Sequence, residues 1–228
     1  MKNRSVSVIS TGMGTDNIDI VFNELDALFN LELKTGKPLK SHTPLTFIRL
    51  GTSGTIQANI ELDSLVVAEA AIGFDSLMHY YEPSMCEHPI AISLHSKLGI
   101  SKNLNHPYYI NGESALVDDC LKLGMRKGII VTNPGFYAPQ GRHLRTKNIL
   151  PYDLNEFLCF NYKNSIITNF DMETSGIYGL SHVMGHRAVS ISAILANRFH
   201  GTFSKKADKT IFNMIETVTN AIKNGFFL

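Results

Sequence analysis

The sequence predicts an α/β protein with a three-layer αβα arrangement around a central mixed, largely parallel sheet. Short apolar segments rich in β-branched residues alternate with segments of helical periodicity. No hairpin turn joins the strand segments, which favours parallel neighbours. Hydrophobic residues make up 44% of the 228 residues and charged residues 18%, as in globular proteins. We expect one domain over residues 1–228, because a chain of this length buries a core without disulfides or metals.

The first predicted elements are a strand and a helix. Residues 5–10 (SVSVIS) have the pattern of a buried strand that ends at a glycine turn. The helix is indicated by apolar residues at helical spacing, namely Ile18, Val21, Leu25 and Leu28. Thr15 or Asp16 is placed to cap its N-terminus. Residues 31–44 are polar and rich in turn formers, which predicts an exposed connection.

Two strands, a helix and a third strand follow. Residues 45–50 (LTFIRL) and 64–70 (SLVVAEA) are short apolar runs, and the first continues into a glycine-containing turn. Residues 112–125 predict a helix. Its apolar face is formed by Leu116, Cys120 and Leu123. Residues 128–132 (GIIVT) predict the next strand, which opens into a loop.

The last predicted elements are a helix over residues 171–185, a strand over 188–195 (AVSISAIL) and a helix over 207–223. The buried stripe of the final helix consists of Ile211, Met214, Ile215, Val218 and Ile222. Strands separated by helices in this way build an α/β sheet, and ligands bind beyond the carboxyl ends of its strands.

Charge and cysteine content argue against several function classes. The 21 basic and 20 acidic residues leave a formal charge of +1, which argues against nucleic-acid binding. No apolar run is long enough for a membrane helix, and no signal peptide is recognisable. The three cysteines form no CxxC pair, so we expect a cytoplasmic protein without a metal site.

Two further motifs are incomplete. His182 and His186 have the spacing of a metal pair but lack the glutamate of H-E-x-x-H, so we expect packed or surface histidines. Gly12 and Gly14 lack the third glycine of a dinucleotide fingerprint and the lysine of a P-loop. We interpret them as a strand-to-helix turn.

The first candidate binding segment is RLGTSG, at residues 49–54. Arg49 at the end of an apolar strand is costly to bury unless it meets an anion. Gly51 and Gly54 allow backbone amides to approach a ligand, and Thr52 and Ser53 add hydroxyl groups. These groups suit a phosphate or a sugar hydroxyl. The alternative is a tight turn whose arginine pairs with an internal carboxylate.

Two more candidate segments lie at residues 136–142 and 169–175. In the first, Phe136 offers a stacking ring, and Gln140 and Arg142 match the donor and acceptor pattern of a uracil edge. The alternative is a solvated loop with incidental polar residues. In the second, Asp171 and Glu173 precede a helix. They suit ribose hydroxyls, or they merely complement the helix dipole.

Together these segments resemble the nucleoside phosphorylase superfamily, most closely its uridine phosphorylase branch. The resemblance covers nearly the whole chain in the family's order. It rests on STGMGTDNIDIVFNEL (10–25), FIRLGTSGTIQANI (47–60), FYAPQGRHL (136–144), NFDMETSGIYGL (169–180) and ILANR (194–198).

The resemblance implies roles for the sugar and phosphate side of a site. Arg49 and Thr52 contact phosphate, with Thr52 also near the ribose. Met172 and Glu173 hold the ribose, with Glu173 on its hydroxyls. Asp171 stands where many relatives have glutamate, and it is expected among the substrate-binding residues.

The resemblance also implies which residues surround the nucleoside: Ser53, Gly54, Phe136, Gln140, Arg142 and Arg198. Phe136 stacks near the base and sugar. Gln140 and Arg142 read the uracil edge, and Arg198 helps to close the base pocket. Purine members carry a Ser-Asp pair after the strand at 188–195, whereas this chain has Ala196-Asn197-Arg198. That difference favours uridine over purine nucleosides.

The activity implied is phosphorolysis of uridine in nucleoside salvage, with inorganic phosphate as co-substrate and no cofactor. Arg49, Gln140, Arg142 and Glu173 are the expected catalytic residues. The family forms dimers, or hexamers built from dimers. Its members also have a βαβ-sized segment before the strand at 5–10, with a Gly-Asp-Pro turn and an arginine at the phosphate site. We therefore expect an N-terminally incomplete domain.

Two alternatives remain open. One is a hydrolytic nucleosidase of the same superfamily. The other is a catalytically inactive subunit that retains nucleoside binding or an assembly role.

Overall fold

The computed structural model describes residues 5–100, 104, 106–148, 155–162 and 165–227. The helices are α1 Thr15–Asn30, α2 Pro89–Leu98, α3 Ser114–Lys122, α4 Asn155–Leu158, α5 Thr174–Val183 and α6 Ala207–Lys223. The strands are β1 Leu31–Glu32, β2 Lys37–Pro38, β3 Thr46–Thr55, β4 Leu65–Gly73, β5 Tyr108–Asn111, β6 Arg126–Thr132, β7 Asn161–Tyr162, β8 Ser165–Asp171, β9 Arg187–Asn197 and β10 Thr202–Phe203.

The main sheet is mixed and runs in the order β10-β9-β3-β8-β6-β4-β5. The pairs β3–β9, β4–β6 and β6–β8 are parallel. β9 also pairs antiparallel with β4, so five strands close into a ring. This arrangement confirms the predicted α/β class with a central mixed sheet.

Helices cover both faces of the sheet. On one face, α1 and α5 pack through Ile18, Phe22, Ile177 and Leu180 against alanines of β4. On the other face, α3 and α6 cover β9, and α2 covers β6 and β8. A register shift between Ala68 and Ala70 changes the alternation of β4, so that Ala68 and Ala71 face the same layer.

Several predicted elements are confirmed. The strands expected at 64–70, 128–132 and 188–195 correspond to β4, β6 and β9, each somewhat longer than predicted. The final helix has the predicted bounds, and Cys120 is buried in the core. The helix expected at residues 112–125 is shorter in the structure, where it corresponds to α3, Ser114–Lys122. Residues 31–44 contain the β1–β2 ribbon and are mostly exposed, as expected of a connection.

The strand predicted at residues 5–10 is wrong. The structure describes these residues without strand pairing, and Val6 and Val8 are 64% and 93% exposed. Alternating apolar residues indicate a strand only where a neighbouring strand supplies ladder hydrogen bonds. The expected cap is also wrong, because Gly14 rather than Thr15 or Asp16 is the N-cap of α1.

Two boundaries that matter for the site were also wrong. The strand expected to stop at residue 50 continues as β3 through Thr55, so residues 51–54 lie within a strand rather than a turn. The helix expected from residue 171 begins at Thr174, and β8 ends at Asp171. The sequence analysis did not identify α2, β5 or β8.

His186 is packed beneath the start of β3. Its Nδ1 accepts a hydrogen bond from the Leu45 amide at 3.2 Å, and its Nε2 lies 3.2 Å from Asp26 Oδ1. His42 stacks on the ring at 5.4 Å between centroids. With Nδ1 accepting the hydrogen bond from the Leu45 amide, the neutral ring carries its proton on Nε2, on the side of Asp26. His182, by contrast, is exposed. The expected packed and surface positions of these two histidines are confirmed.

No helix in the described part of the chain combines the length and apolar character needed to cross a bilayer.

We expect acid to destabilise the protein partly through His186. Burial and neighbouring His42 lower the pKa of His186, while Asp26 opposes that shift. Because the unfolded chain then binds the proton more tightly, stability falls as the pH drops below the ordinary value of about 6.5. His186→Asn keeps an acceptor for the Leu45 amide but does not titrate. Urea unfolding between pH 7.5 and 5.5 should show a smaller loss of stability in this variant than in the wild type.

The matched control is His182→Asn, because His182 is exposed on α5. It should retain the pH dependence of the wild type. Identical slopes for His186→Asn and the wild type would contradict this account.

Candidate active site

The residues of the candidate site lie at the ends of β6 and β8 and beside the neighbouring stretches of β3 and β9. The last residues of β3 pair with the last residues of β8, as Gly54 with Phe170 and Thr55 with Asn169. Thr132 at the end of β6 is paired with Asp171 at the end of β8. This position agrees with the general rule for ligand sites in α/β sheets.

Arg49 is held over β3 by three side chains. Its side chain is 15% exposed, and its Nη2 donates to Glu173 Oε2 at 2.6 Å. Nη2 also lies 3.5 Å from Asp171 Oδ2, and Nη1 donates to Ser190 Oγ at 3.4 Å. The guanidinium therefore has two carboxylates beside it, which offsets the cost of its partial burial.

Gly51 provides the space in which the Arg49 guanidinium lies. A Cβ atom at Gly51 would stand 2.3 Å from Nη1 of Arg49, because residues two apart in a strand share a face. The sequence predicts that this glycine lets backbone amides approach a ligand, and that role stays a prediction. The structure shows that it also leaves room for the arginine side chain.

Glu173 connects the starts of two helices. It is the N-cap residue of α5 and is 8% exposed. Its Oε2 pairs with Arg49, and its Oε1 accepts a hydrogen bond from the Gly14 amide at 2.9 Å. Gly14 precedes α1 with φ 93°, a backbone conformation that glycine adopts without strain. Sequence reasoning did not connect this glycine with the site.

Asp171 faces the protein interior. Its side chain is 1% exposed. Oδ1 accepts from Thr132 Oγ1 at 2.7 Å, and Oδ2 accepts from the amide and the hydroxyl of Thr174. Since protein donors already occupy both oxygens, the geometry favours a positioning role. The expectation that Asp171 is among the substrate-binding residues stays a prediction.

The side chains of residues 52–54 take different directions. Ser53 Oγ donates to the Phe170 carbonyl at 2.6 Å and accepts from Asn169 Nδ2 at 2.9 Å. Gly54 is buried, and a Cβ there would lie 3.4 Å from the Ala196 Cβ. Thr52 is exposed and out of phase with Arg49, so the structure does not bring its side chain to the guanidinium. Its expected phosphate contact stays a prediction.

A second group of residues forms around Gln140, which is 2% exposed. The Arg142 guanidinium donates to Gln140 Oε1, and Arg198 donates to the Gln140 carbonyl at 2.7 Å. Gln140 Nε2 lies 3.5 Å from the Asp171 carbonyl. Because arginine only donates and a carbonyl only accepts, these neighbours fix the orientation of the amide.

Positive charge accumulates at this group. Among the described residues, no ion pair joins a carboxylate to Arg142 or Arg198. Burial and the nearby charge of Arg198 lower the pKa of Arg142 to about 10. Arg198 Nη1 is buried without a hydrogen-bond partner in the described part of the chain. The arrangement suits a ligand that presents acceptors or gains negative charge.

Phe136 and Met172 lie at the border of the two groups. The Arg142 guanidinium stacks over the Phe136 ring at 3.9 Å from its centroid, and it donates to the Phe136 carbonyl at 2.7 Å. Phe136 is 50% exposed, so one part of its ring remains accessible for stacking. Met172 is half-buried between Asp171 and Glu173.

Four residues of the site were missed from the sequence: Gly14, Thr132, Thr174 and Ser190. Ser190 had a recognisable signal. β9 is buried almost throughout, yet it alternates serines with apolar residues, as Ser190 and Ser192. Polar residues on one face of a buried strand indicate that this face meets polar partners. No comparable pattern marked Thr132 or Thr174.

Comparisons with known proteins identify relatives by sequence. The family model described as the phosphorylase superfamily matches residues 1–223. The chain is 30% identical over 206 residues to a uridine phosphorylase of Thermococcus kodakarensis, covering 90% of this chain and 62% of that protein. It is 24% identical over 197 residues to a uridine phosphorylase of Haemophilus influenzae, covering 85% and 64%. A DeoD-type purine nucleoside phosphorylase of Buchnera aphidicola is 23% identical over 216 residues, covering 94% and 73%.

Solved structures share the fold. A Trypanosoma brucei nucleoside phosphorylase, described as showing uridine phosphorylase activity, superposes with a TM-score of 0.80 at 24% identity, covering 95% of this chain and 79% of that one. The chain spans less than two thirds of the length of both of these uridine phosphorylases. The family model nevertheless covers nearly the whole chain. The resemblance is therefore confirmed, and the chain belongs to the phosphorylase superfamily.

Proposed function

We propose that the chain catalyses phosphorolysis of a pyrimidine nucleoside, with uridine as substrate. The observation that carries this proposal is the Gln140–Arg142–Arg198 group, in which an oriented amide lies beside two arginines that have no carboxylate partner in the described part of the chain. Uracil presents two carbonyl acceptors on either side of an N–H donor. An amide oxygen, an amide nitrogen and a guanidinium complement that pattern.

Arg49 would bind the phosphate in this proposal. It lies on the same strand as Ser53, and Asp171 links it to the Gln140 group. Glu173 beside it would accept hydrogen bonds from the ribose hydroxyls. The two groups of the site would thus hold the two ends of one reacting assembly, phosphate at Arg49 and base at Arg142.

The reaction exchanges one bond at the anomeric carbon. A phosphate oxygen forms a bond to that carbon as the bond to the uracil nitrogen breaks, through an oxocarbenium-like state. The electron pair of the broken bond leaves with uracil, which then takes up a proton. Arg142 and Arg198 would stabilise the negative charge that develops on the leaving base. The products are uracil and ribose 1-phosphate, and the chemistry requires no metal or organic cofactor.

The decisive assay measures uracil release from uridine with and without inorganic phosphate. We expect release that depends on phosphate and is accompanied by ribose 1-phosphate. Release without phosphate would indicate a hydrolytic nucleosidase, and binding of uridine without any release would indicate an inactive nucleoside-binding subunit.

Replacing Arg142 tests the base side of the site. Arg142→Ala removes a donor that is aimed at the developing charge, so kcat should fall by about 10²- to 10³-fold. Arg126→Ala is the matched control, because Arg126 lies at the opposite end of β6. Steady-state kinetics of both variants check this, and a nearly unchanged rate for Arg142→Ala would remove that residue from the proposed mechanism.

Gly51→Ala tests the phosphate side of the site. The new methyl group would push the end of the arginine chain away from Glu173 and Asp171, so we expect a loss of about 1–3 kcal/mol of unfolding free energy. The displaced Arg49 should raise KM for phosphate at least several-fold while KM for uridine changes less. A variant with normal phosphate dependence would show that the position of the guanidinium over Gly51 is not required.

A further inference from the structure

Glu173 and Asp171 are the two carboxylates beside Arg49, and they are held very differently. Asp171 accepts three hydrogen bonds from Thr132 and Thr174 and has a side chain that is 1% exposed. Glu173 has a side chain that is 11% exposed, and among the described residues it accepts only from Arg49 and the Gly14 amide. Of the two, only Glu173 can turn away from Arg49 without leaving buried hydroxyls unpaired.

We propose that Glu173 exchanges partners, pairing with Arg49 in the unliganded enzyme and with the sugar hydroxyls when phosphate binds Arg49. This inference rests on the proposed function. Its consequence is that phosphate and nucleoside bind with positive cooperativity, although each contacts different residues.

Each ligand alone must break the Arg49–Glu173 pair. An anion at Arg49 displaces Glu173 and leaves that carboxylate without a cationic partner in a largely buried place. A nucleoside that takes Glu173 leaves Arg49 beside Asp171 only. When both ligands bind, the anion pairs with Arg49 and the sugar hydroxyls donate to Glu173. The free-energy cost of breaking the Arg49–Glu173 pair then arises once for the two ligands, whereas each ligand that binds alone bears it in full.

The departure of Glu173 also releases a backbone donor. The Gly14 amide, which now donates to Glu173 Oε1 at 2.9 Å, lies at the N-terminus of the sixteen-residue helix α1. A helix N-terminus favours an anion. The exchange would therefore make both Arg49 Nη2 and the Gly14 amide available to phosphate. Arg49 itself would stay in place through Ser190 and Asp171.

The experiment measures binding without turnover. Sulfate replaces phosphate as a tetrahedral dianion that does not carry out phosphorolysis, and uridine is the nucleoside. Calorimetric titrations determine the Kd of each ligand alone and in the presence of saturating amounts of the other. We expect each ligand to tighten the binding of the other by about fivefold or more, and by the same factor in both directions.

Three variants identify the side chain responsible. Glu173→Gln should bind sulfate alone more tightly than the wild type, since no ion pair competes. In this variant, the factor by which each ligand tightens the binding of the other should fall to nearly one. Asp171→Asn should retain coupling even if both affinities weaken. Glu69→Gln removes a carboxylate that pairs with Lys127 at 2.8 Å, outside the candidate site, and should match the wild type throughout.

The possible failures are distinguishable. Independent binding of sulfate and uridine to the wild type would overturn the exchange but leave the proposed function intact. Coupling that survives in Glu173→Gln would also overturn it, since another residue would then carry the effect. If the wild type binds no uridine at all, the proposed function fails and this inference fails with it.

Discussion

The buried carboxylate of Asp171 is the interaction on which the rest of the site depends. Through Thr132 it ties the end of β8 to the end of β6, and through Thr174 it ties β8 to the first turn of α5. The Thr174 hydroxyl then reaches Ser190 on β9 at 2.7 Å. Three strands and a helix thus meet at one charged group, whose burial is tolerated because every oxygen is hydrogen-bonded.

This arrangement separates the charges of the site into two regions. Around Arg49, one cation faces two carboxylates. Around Gln140, two cations, Arg142 and Arg198, face none among the described residues. An anion that enters at Arg49 must compete with the protein's own carboxylates, whereas a base that gains charge beside Arg142 meets no such competition. The asymmetry matches a reaction whose nucleophile is charged from the start and whose leaving group becomes charged only during the reaction.

Much of this could be predicted from the sequence, but only where a local pattern decides the structure. The helix α6 has a regular apolar stripe, and its bounds were predicted correctly. The predicted strand was shorter than β3 because Gly51 and Gly54 suggest a turn. In the structure, long-range pairing with β9 keeps this stretch of chain extended. The strand predicted at residues 5–10 was wrong because an alternating pattern contains no information about a neighbouring strand with which it could pair. Arg49 and Glu173 were singled out individually, but their ion pair spans residues far apart in the chain.

The uneven pairing of β3 bears on how the protein behaves at high concentration. β3 pairs with β9 along its whole length but with β8 only at Gly54 and Thr55, so over residues 46–53 its other edge has no strand partner among the described residues. The strands at the two ends of the sheet order, β5 and β10, have only four and two residues. Because a long unpaired edge is a better template for intermolecular β pairing than a short one, the exposed stretch of β3 is where edge-to-edge association of this sheet would begin.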